Sequence, residues 1–152
     1  MDAIERLVAT REIEDLITRY CHTFDEQNWD EFATLWTEDA SFAVEDMAFE
    51  GKQTMLDFLT SCLPEGYVSK HFCARSLIEF EPDGLTAHAE TDVVWIAANF
   101  ENTIVGRYVD TIVKQDGRWL FKRRSETPVQ YVPGPPPMSD TANAVSGSTM
   151  RA

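Results

Sequence analysis

The sequence predicts an α+β fold in which three helices pack on one face of a long, curled antiparallel sheet. Apolar residues recur with a helical period up to about residue 63 and with a period of two between residues 67 and 127. Turn-forming residues separate the segments of the second region, as hairpins require. A long antiparallel sheet must twist and curl, and a curled sheet covered by helices on one face encloses a pocket.

The composition is typical of a single folded domain. A chain of 152 residues, 43% of them hydrophobic, is long enough for one core. Its formal net charge of -13 repels phosphate backbones and anionic membranes, so we expect neither nucleic acid nor a membrane as a partner. Cys21, Cys62 and Cys73 form no C-x-x-C pair, which indicates reduced thiols. Because the sequence also lacks a signal-peptide pattern and a bilayer-length apolar run, we expect a cytoplasmic location.

Helices and two short extended segments account for the first part of the chain. The first helix has an apolar stripe that includes Ile13, Ile17 and Phe24, with charged residues outside it. The predicted helices are Ile4–Phe24, Asp30 to Leu35 or Trp36, and Gly51 to about Leu63. The predicted extended segments between the second and third helices are Asp39–Val44 and Met47–Phe49.

Four long strands with hairpin turns are predicted to follow the helices. They are Tyr67–Glu81, Thr86–Phe100, Thr103–Gln115 and Arg118–Thr127. The turn signals between them are Pro82-Asp83-Gly84, Glu101-Asn102 and Asp116-Gly117. We place the folded domain at residues 1–130. Residues 131–152 are first proline-rich and then small and polar, which predicts a flexible tail or an arm on a neighbouring subunit.

Asp25 lies at the end of the first predicted helix, where a carboxylate is unfavourable. The C-terminal end of a helix carries partial negative charge, so an acidic residue there costs a few tenths of a kcal/mol or more. One explanation is a solvated turn former shortly before Asn28. The other is a functional carboxylate, which makes Asp25 a candidate catalytic residue.

His71 lies near the start of the first long strand and is the candidate partner of Asp25. Strict alternation places His71 with Cys73 and Leu77, opposite the more apolar face, unless a bulge shifts the phase. The apolar face carries Phe72, Ala74, Ile78 and Phe80. By contrast, His88 alternates with polar residues and is predicted to face solvent.

Aromatic residues supply most candidate walls of the pocket. The candidates are Trp36, Phe49, Phe58, Trp95 and Tyr108, although Tyr108 is most simply a packing residue. In the last strand, alternation places Arg123 on the face of Trp119 and Phe121. Arg123 is therefore a candidate for binding an anionic or carbonyl oxygen, with pairing to one of the many carboxylates as the alternative.

The sequence contains none of the common motifs for cofactors or nucleophilic catalysis. There is no G-x-G-x-x-G, phosphate loop, H-E-x-x-H or G-x-S-x-G. His22, His71 and His88 have no metal-ligand spacing. We therefore predict neither a cofactor nor a metal.

Several short motifs resemble the SnoaL-like branch of the nuclear transport factor two-like superfamily. They are Tyr20-x4-Asp25, Asn28-Trp29-Asp30-x-Phe32, Leu35-Trp36-Thr37-x-Asp39-Ala40, Lys70-His71, Gly106-Arg107-Tyr108-x-Asp110 and Asp116-Gly117-x-Trp119. The resemblance covers about residues 3 to 128. It implies a cone of three helices on a strongly curved mixed, mostly antiparallel sheet around a deep pocket.

The resemblance also implies a function. Tyr20, Asp25 and His71 match the catalytic set of bile acid 7α-dehydratase, and hexachlorocyclohexane dehydrochlorinase also uses an Asp-His dyad. The expected activity is a cofactor-free lyase of the dehydratase type, acting on a small or medium hydrophobic carbonyl-containing substrate. His71 would be the general base, Asp25 would orient it and Tyr20 would donate a hydrogen bond. The alternatives are an isomerase, a polyketide cyclase or a non-catalytic binding module. Relatives imply a homo-oligomer, a trimer or a dimer.

Overall fold

The computed structural model describes residues 1–97, 100 and 102–133. Three helices lie in this part of the chain: α1 (Ala3–Asp25), α2 (Trp29–Ala33) and α3 (Lys52–Ser61). The strands are β1 (Trp36–Val44), β2 (Met47–Glu50), β3 (Ser69–Cys73), β4 (Leu77–Phe80), β5 (Thr86–Ala97), β6 (Asn102–Gln115) and β7 (Arg118–Pro133). Within these same ranges, no helix combines the length and the apolar character needed to cross a bilayer.

The strands form one mixed sheet with the order β2-β1-β7-β6-β5-β3, and β4 also pairs with β5. The pairings are antiparallel except that between β1 and β7, which is parallel. Three helices on a mixed, mostly antiparallel sheet confirm the predicted α+β fold class. We call the side of the sheet that faces the helices the inner face.

Helix α1 begins and ends where its sequence requires. The Asp2 side chain accepts from the backbone N–H groups of Ile4 and Glu5, and the Glu5 side chain accepts from the Asp2 N–H. This capping box satisfies the free donors of the first turn. The buried stripe runs from Ala9 to Asp25 and includes the predicted apolar residues, so α1 packs its apolar side onto the core.

Helix α3 begins after Gly51, which has a φ of +84°. That conformation is open to glycine at little cost, since glycine has no Cβ. Met55 and Leu59 are the buried residues of α3, and they close the core over the sheet.

The single strand predicted over Tyr67–Glu81 is wrong, because the structure has two strands there. Residues 74–76 separate β3 from β4, and the N–H of Ala74 donates to the carbonyl of Asp92 at 2.8 Å. The interruption shifts the alternation, so Ser69 and His71 point to the inner face while Phe72 points outward with 61% of its surface exposed. The expectation that His71 faces away from the core side fails for this reason.

The alternation predicted for the last strand is also wrong. Thr111 pairs with Arg123 and Ile112 with Phe121, so Lys122 is an extra residue in β7. Such a bulge reverses the facing of the residues beyond it. Phe121 and Arg124 therefore both lie on the inner face, and Arg123 is exposed.

Strand β7 continues to Pro133, past the predicted strand end at Thr127 and past the domain boundary placed at residue 130. The remainder of the predicted tail, residues 134–152, lies outside the described residues.

Candidate active site

The carboxylate of Asp25 is buried and held by donors from β3. It is the last residue of α1, and its side chain is 1% exposed. Oδ1 accepts from the Ser69 hydroxyl at 3.1 Å, and Oδ2 accepts from the His71 backbone N–H at 2.9 Å. Lys70 Nζ approaches Oδ2 to 4.0 Å. These contacts compensate the unfavourable position at a helix end, since hydrogen bonds to an ion are stronger than neutral ones.

The imidazole of His71 links Asp25 to Tyr108. Nδ1 lies 2.7 Å from Asp25 Oδ1, and Nε2 lies 3.2 Å from the Tyr108 hydroxyl. Burial lowers the pKa of His71 from its ordinary value, against the opposing effect of Asp25. The ring is therefore neutral near pH 7. A neutral ring beside a carboxylate donates from Nδ1–H, so Nε2 carries the lone pair and accepts from Tyr108.

Tyr20 lies on the same inner surface, with its ring centroid 5.9 Å from that of His71. It is 2% exposed and lines the cavity. Burial raises the pKa of Tyr20 above its ordinary value, although the nearby Arg124 guanidinium acts in the opposite direction. The phenol therefore stays protonated and can donate a hydrogen bond.

A buried ion pair supports the two tyrosines from behind. Arg124 Nε and Nη2 donate to the carboxylate of Asp110 at 2.8 and 2.7 Å, and both side chains are 0% exposed. The guanidinium carbon lies 4.0 Å from the ring centroids of both Tyr20 and Tyr108. This cation–π contact fixes the two phenol rings relative to each other.

A cavity of about 390 Å³ lies in front of these groups. Of the predicted wall residues, Phe58, Trp95 and Tyr108 line the cavity together with Tyr20 and His71. Phe49 lies behind Phe58 and stacks on it with 3.8 Å between centroids. Trp36 is part of the core and Arg123 is exposed, so neither lines the cavity. Asp25 also lies behind the wall and reaches the cavity through His71.

Sequence reasoning missed Arg124, Asp110 and Glu126 and underestimated Tyr108. Glu126 lines the cavity and is the register partner of Tyr108 across β6 and β7. Burial and the neighbouring Glu45 raise the pKa of Glu126. The bulge at Lys122 hid Arg124 and Glu126, because without it both would alternate outward. Gly106, Tyr108 and Asp110 are alternate residues of β6, so they share a face. Their common inward direction could have been predicted from the sequence.

The described part of the chain contains no group of three or more histidine, cysteine or acidic residues placed to hold a metal ion. The chemistry that the arrangement itself offers is acid–base chemistry. A neutral imidazole oriented by a carboxylate faces a mostly apolar cavity that is also lined by two phenols and two carboxyl groups.

Solved structures with the same fold include proteins of assigned and of unknown function. A protein provisionally described as a scytalone dehydratase from Novosphingobium aromaticivorans has a TM-score of 0.79 and 23% identity, over 90% of this chain and 94% of that chain. A hexachlorocyclohexane dehydrochlorinase, LinA type 2, has a TM-score of 0.76 and 20% identity, over 91% of this chain and 100% of that chain. A single-residue variant of Rv3472 from Mycobacterium tuberculosis, a protein described as of unknown function, has a TM-score of 0.76 and 22% identity, over 97% of this chain and 89% of that chain.

At these identities the likeness establishes the fold. A comparison with curated proteins found no significant match. The family model described as a SnoaL-like domain matches residues 5–125, which is most of the chain. The chain therefore belongs to the SnoaL-like family of the nuclear transport factor two-like superfamily.

Proposed function

We propose that the chain is a cofactor-free lyase that dehydrates a small or medium hydrophobic carbonyl compound by β-elimination. The observation that carries the proposal is the buried His71, which is hydrogen-bonded to Asp25 at 2.7 Å and lines an apolar cavity. Two structural relatives have names that describe eliminations, a dehydratase and a dehydrochlorinase. These names support a lyase.

The first step is removal of the acidic proton next to the carbonyl group. A bound substrate displaces the Tyr108 hydroxyl from Nε2 of His71, and Nε2 then accepts the proton from carbon. Asp25 stabilises the imidazolium that forms. Tyr20 and the released Tyr108 hydroxyl are protonated donors at the cavity wall, so they can stabilise negative charge on the carbonyl oxygen.

The second step is departure of the hydroxyl group from the β-carbon. The electrons of the broken C–H bond form the C=C bond as the C–O bond breaks. Glu126, whose pKa is raised by burial, gives its proton to the leaving oxygen, which departs as water. The proton held by His71 then restores Glu126 through solvent, so the net reaction is loss of one water.

The cavity favours neutral substrates. Its ionisable lining residues include Glu45 and Glu126, and no lysine or arginine is among the residues that line it in the described part of the chain. An anionic substrate would meet two carboxyl groups in an apolar setting without a compensating cation. We therefore expect neutral β-hydroxy ketones or esters in preference to carboxylates or phosphates.

The test is to follow a panel of neutral β-hydroxy ketones with the protein in deuterated water by proton NMR. We expect a conjugated alkene to form and the α-proton signal to disappear. In Glu126→Gln, alkene formation should fall about tenfold or more while exchange of the α-proton for deuterium continues, because only protonation of the leaving group is impaired. Glu79→Gln, an exposed glutamate on β4, is the matched control and should behave as wild type.

The same experiment separates the alternatives. A migrated double bond or a closed ring, obtained from the corresponding unsaturated ketone or polyketone, would identify an isomerase or a cyclase instead. Saturable binding with neither product nor deuterium exchange across the panel would contradict the lyase and support a binding module.

We also propose that the chain forms a homo-oligomer, a trimer or a dimer, through the outer face of the sheet, and that it is cytoplasmic. The support for the interface is an apolar row in which Phe72, Val94 and Val105 are successive cross-strand partners on β3, β5 and β6. A second copy that covers this row would bury an otherwise exposed phenylalanine. The free thiols of all three cysteines agree with a reducing compartment.

Sedimentation velocity tests the interface. We expect an oligomer for the wild type and a shift toward monomer for Phe72→Glu, because the substitution places a charge within the apolar row. Leu7→Glu, which changes a similarly exposed residue on α1, is the control and should leave the oligomer intact. A wild type that sediments only as a monomer would rule out this interface.

A further inference from the structure

Two thiols from different elements meet beside the candidate site. Cys21 on α1 and Cys73 on β3 have their sulfur atoms 3.4 Å apart. Cys21 lies four residues before Asp25 and Cys73 lies two residues after His71. The thiol contact and the Asp25–His71 hydrogen bond therefore connect the same helix to the same strand, side by side.

We propose that Cys21 and Cys73 are a site of reversible disulfide formation, with a peroxide as the oxidant. A disulfide bond is about 2.05 Å long, so the two sulfurs need to approach by about 1.3 Å. No other side chain has to move from between the two sulfurs, because they already contact each other. The third cysteine, Cys62, follows the last residue of α3 and is exposed. Its thiol donates to the carbonyl of Phe58 in the same helix.

The two cysteines differ in a way that assigns their roles. Cys73 is partly exposed and can meet a peroxide, whereas Cys21 is buried. A hydrogen bond from the Cys21 thiol lowers the pKa of Cys73, because it stabilises the thiolate. A thiolate is the form that attacks peroxides and disulfides. Cys73 is thus the attacking thiol and Cys21 the resolving thiol.

The oxidation balances in two steps. Cys73 loses its proton to solvent and the thiolate attacks one peroxide oxygen. The O–O bond breaks, a sulfenic acid forms, and the departing hydroxide or alkoxide takes up a proton from solvent to leave as water or alcohol. The Cys21 sulfur then attacks the sulfenic sulfur and the S–S bond forms. The sulfenic hydroxyl leaves as water with the proton of the Cys21 thiol. Two thiols are oxidised by two electrons and the peroxide is reduced. A small-molecule dithiol reduces the disulfide back to two thiols and is itself oxidised to a disulfide.

The disulfide would join the end of α1 to β3 across the segment 21–73. A cross-link that closes a loop of this length restricts the unfolded chain, so it raises the midpoint of thermal unfolding by roughly 10 °C. Because it runs beside the Asp25–His71 hydrogen bond, it also fixes the two elements that carry these residues.

Peptide mapping of the wild-type protein tests the proposal directly. Trypsin places the three cysteines in separate peptides, 20–52, 53–70 and 71–75. After treatment with hydrogen peroxide and blocking of free thiols, we expect peptides 20–52 and 71–75 joined, with the mass of two hydrogens lost. The oxidised protein should unfold at a higher temperature, and dithiothreitol should reverse both changes. Cys62→Ser is the control and should show the same joined peptides.

Two outcomes would overturn the proposal. One is that Cys21 and Cys73 both remain open to alkylation after excess peroxide, whatever happens at Cys62. The other is that Cys73 is oxidised to sulfinic or sulfonic acid, or joined to Cys62, while Cys21 remains a free thiol. Neither outcome depends on the folding of a variant, since the measurement uses the natural sequence.

Discussion

His71→Gln should reduce turnover by a factor of about 100 or more, because it removes the group proposed to accept the substrate proton. Asp25→Asn should have a comparable effect. An amide at position 25 cannot stabilise the imidazolium through a charged hydrogen bond. Its NH₂ group can also donate to Nδ1 of His71, which would place the ring proton on Nε2 and block the base. A 100-fold loss corresponds to about 2.7 kcal/mol of transition-state stabilisation. The measurement is the rate of alkene formation from the β-hydroxy ketones described above, with circular dichroism to verify folding.

His88→Gln is the matched control for this prediction. His88 lies on β5, is exposed, and forms a hydrogen bond with Glu81 at the surface, away from the cavity. It should retain wild-type turnover. Turnover close to that of the wild type in a folded His71→Gln or Asp25→Asn protein would contradict the general-base mechanism.

The pH profile of the same reaction identifies the base. Burial lowers the pKa of His71, so the loss of kcat/KM on the acid side should begin only below about pH 6.5, while loss of the Glu126 proton should limit the rate on the alkaline side. Stability follows the same group: as the pH falls below about 6.5, the unfolded chain binds a proton that the folded protein does not yet bind. The His71 contribution to stability is therefore complete above this pH and is lost as the pH falls toward the folded pKa.

Asp110→Ala should reduce the free energy of unfolding by about 3–5 kcal/mol. The substitution leaves the buried guanidinium of Arg124 without the carboxylate that receives two of its hydrogen bonds. Arg124 also lies against the rings of Tyr20 and Tyr108, so the loss extends to the wall of the cavity. Denaturant unfolding with guanidinium or urea measures the change.

The chain offers a matched exposed pair on neighbouring strands. Arg107 and Asp92 also form an ion pair across two strands, with Nε to Oδ1 at 2.7 Å, but they lie on the outer face. Asp92→Ala should cost far less, because solvent replaces the carboxylate. The double variant Asp110→Leu/Arg124→Met should recover much of the stability that Asp110→Ala loses. If Asp110→Ala and Asp92→Ala reduced the free energy of unfolding equally, the buried ion pair would contribute no more to stability than the exposed one.

The helices and the hairpin turns at Pro82-Asp83-Gly84 and Asp116-Gly117 were predictable because their signals are local. The capping box at Asp2 and the apolar stripe of α1 specify that helix by themselves, and Asp116-Gly117 specifies the β6–β7 hairpin. Asp25 could be singled out for the same reason, since its unfavourable position is a property of the helix alone.

The features that sequence reasoning missed depend on strand partners. The break at residues 74–76 and the extra residue Lys122 are set by pairing with β5 and β6, and alternation within one strand does not reveal them. Each irregularity shifts the facing of the neighbouring strand residues by one position. As a result, His71 lies on the inner face where Phe72 was expected. In the same way, Arg124 lies on the inner face where Arg123 was expected.

The parallel pairing of β1 with β7 has a consequence for how the protein is made. Ser41 pairs with Arg123, so an early strand receives its neighbour only when a much later part of the chain has left the ribosome. Until then one edge of β1 has unpaired backbone groups, and contacts this distant in sequence form slowly. Closure of the sheet along this edge therefore requires contacts between the two ends of the domain, and before it the free edge of β1 is a place where two unfolded chains could pair.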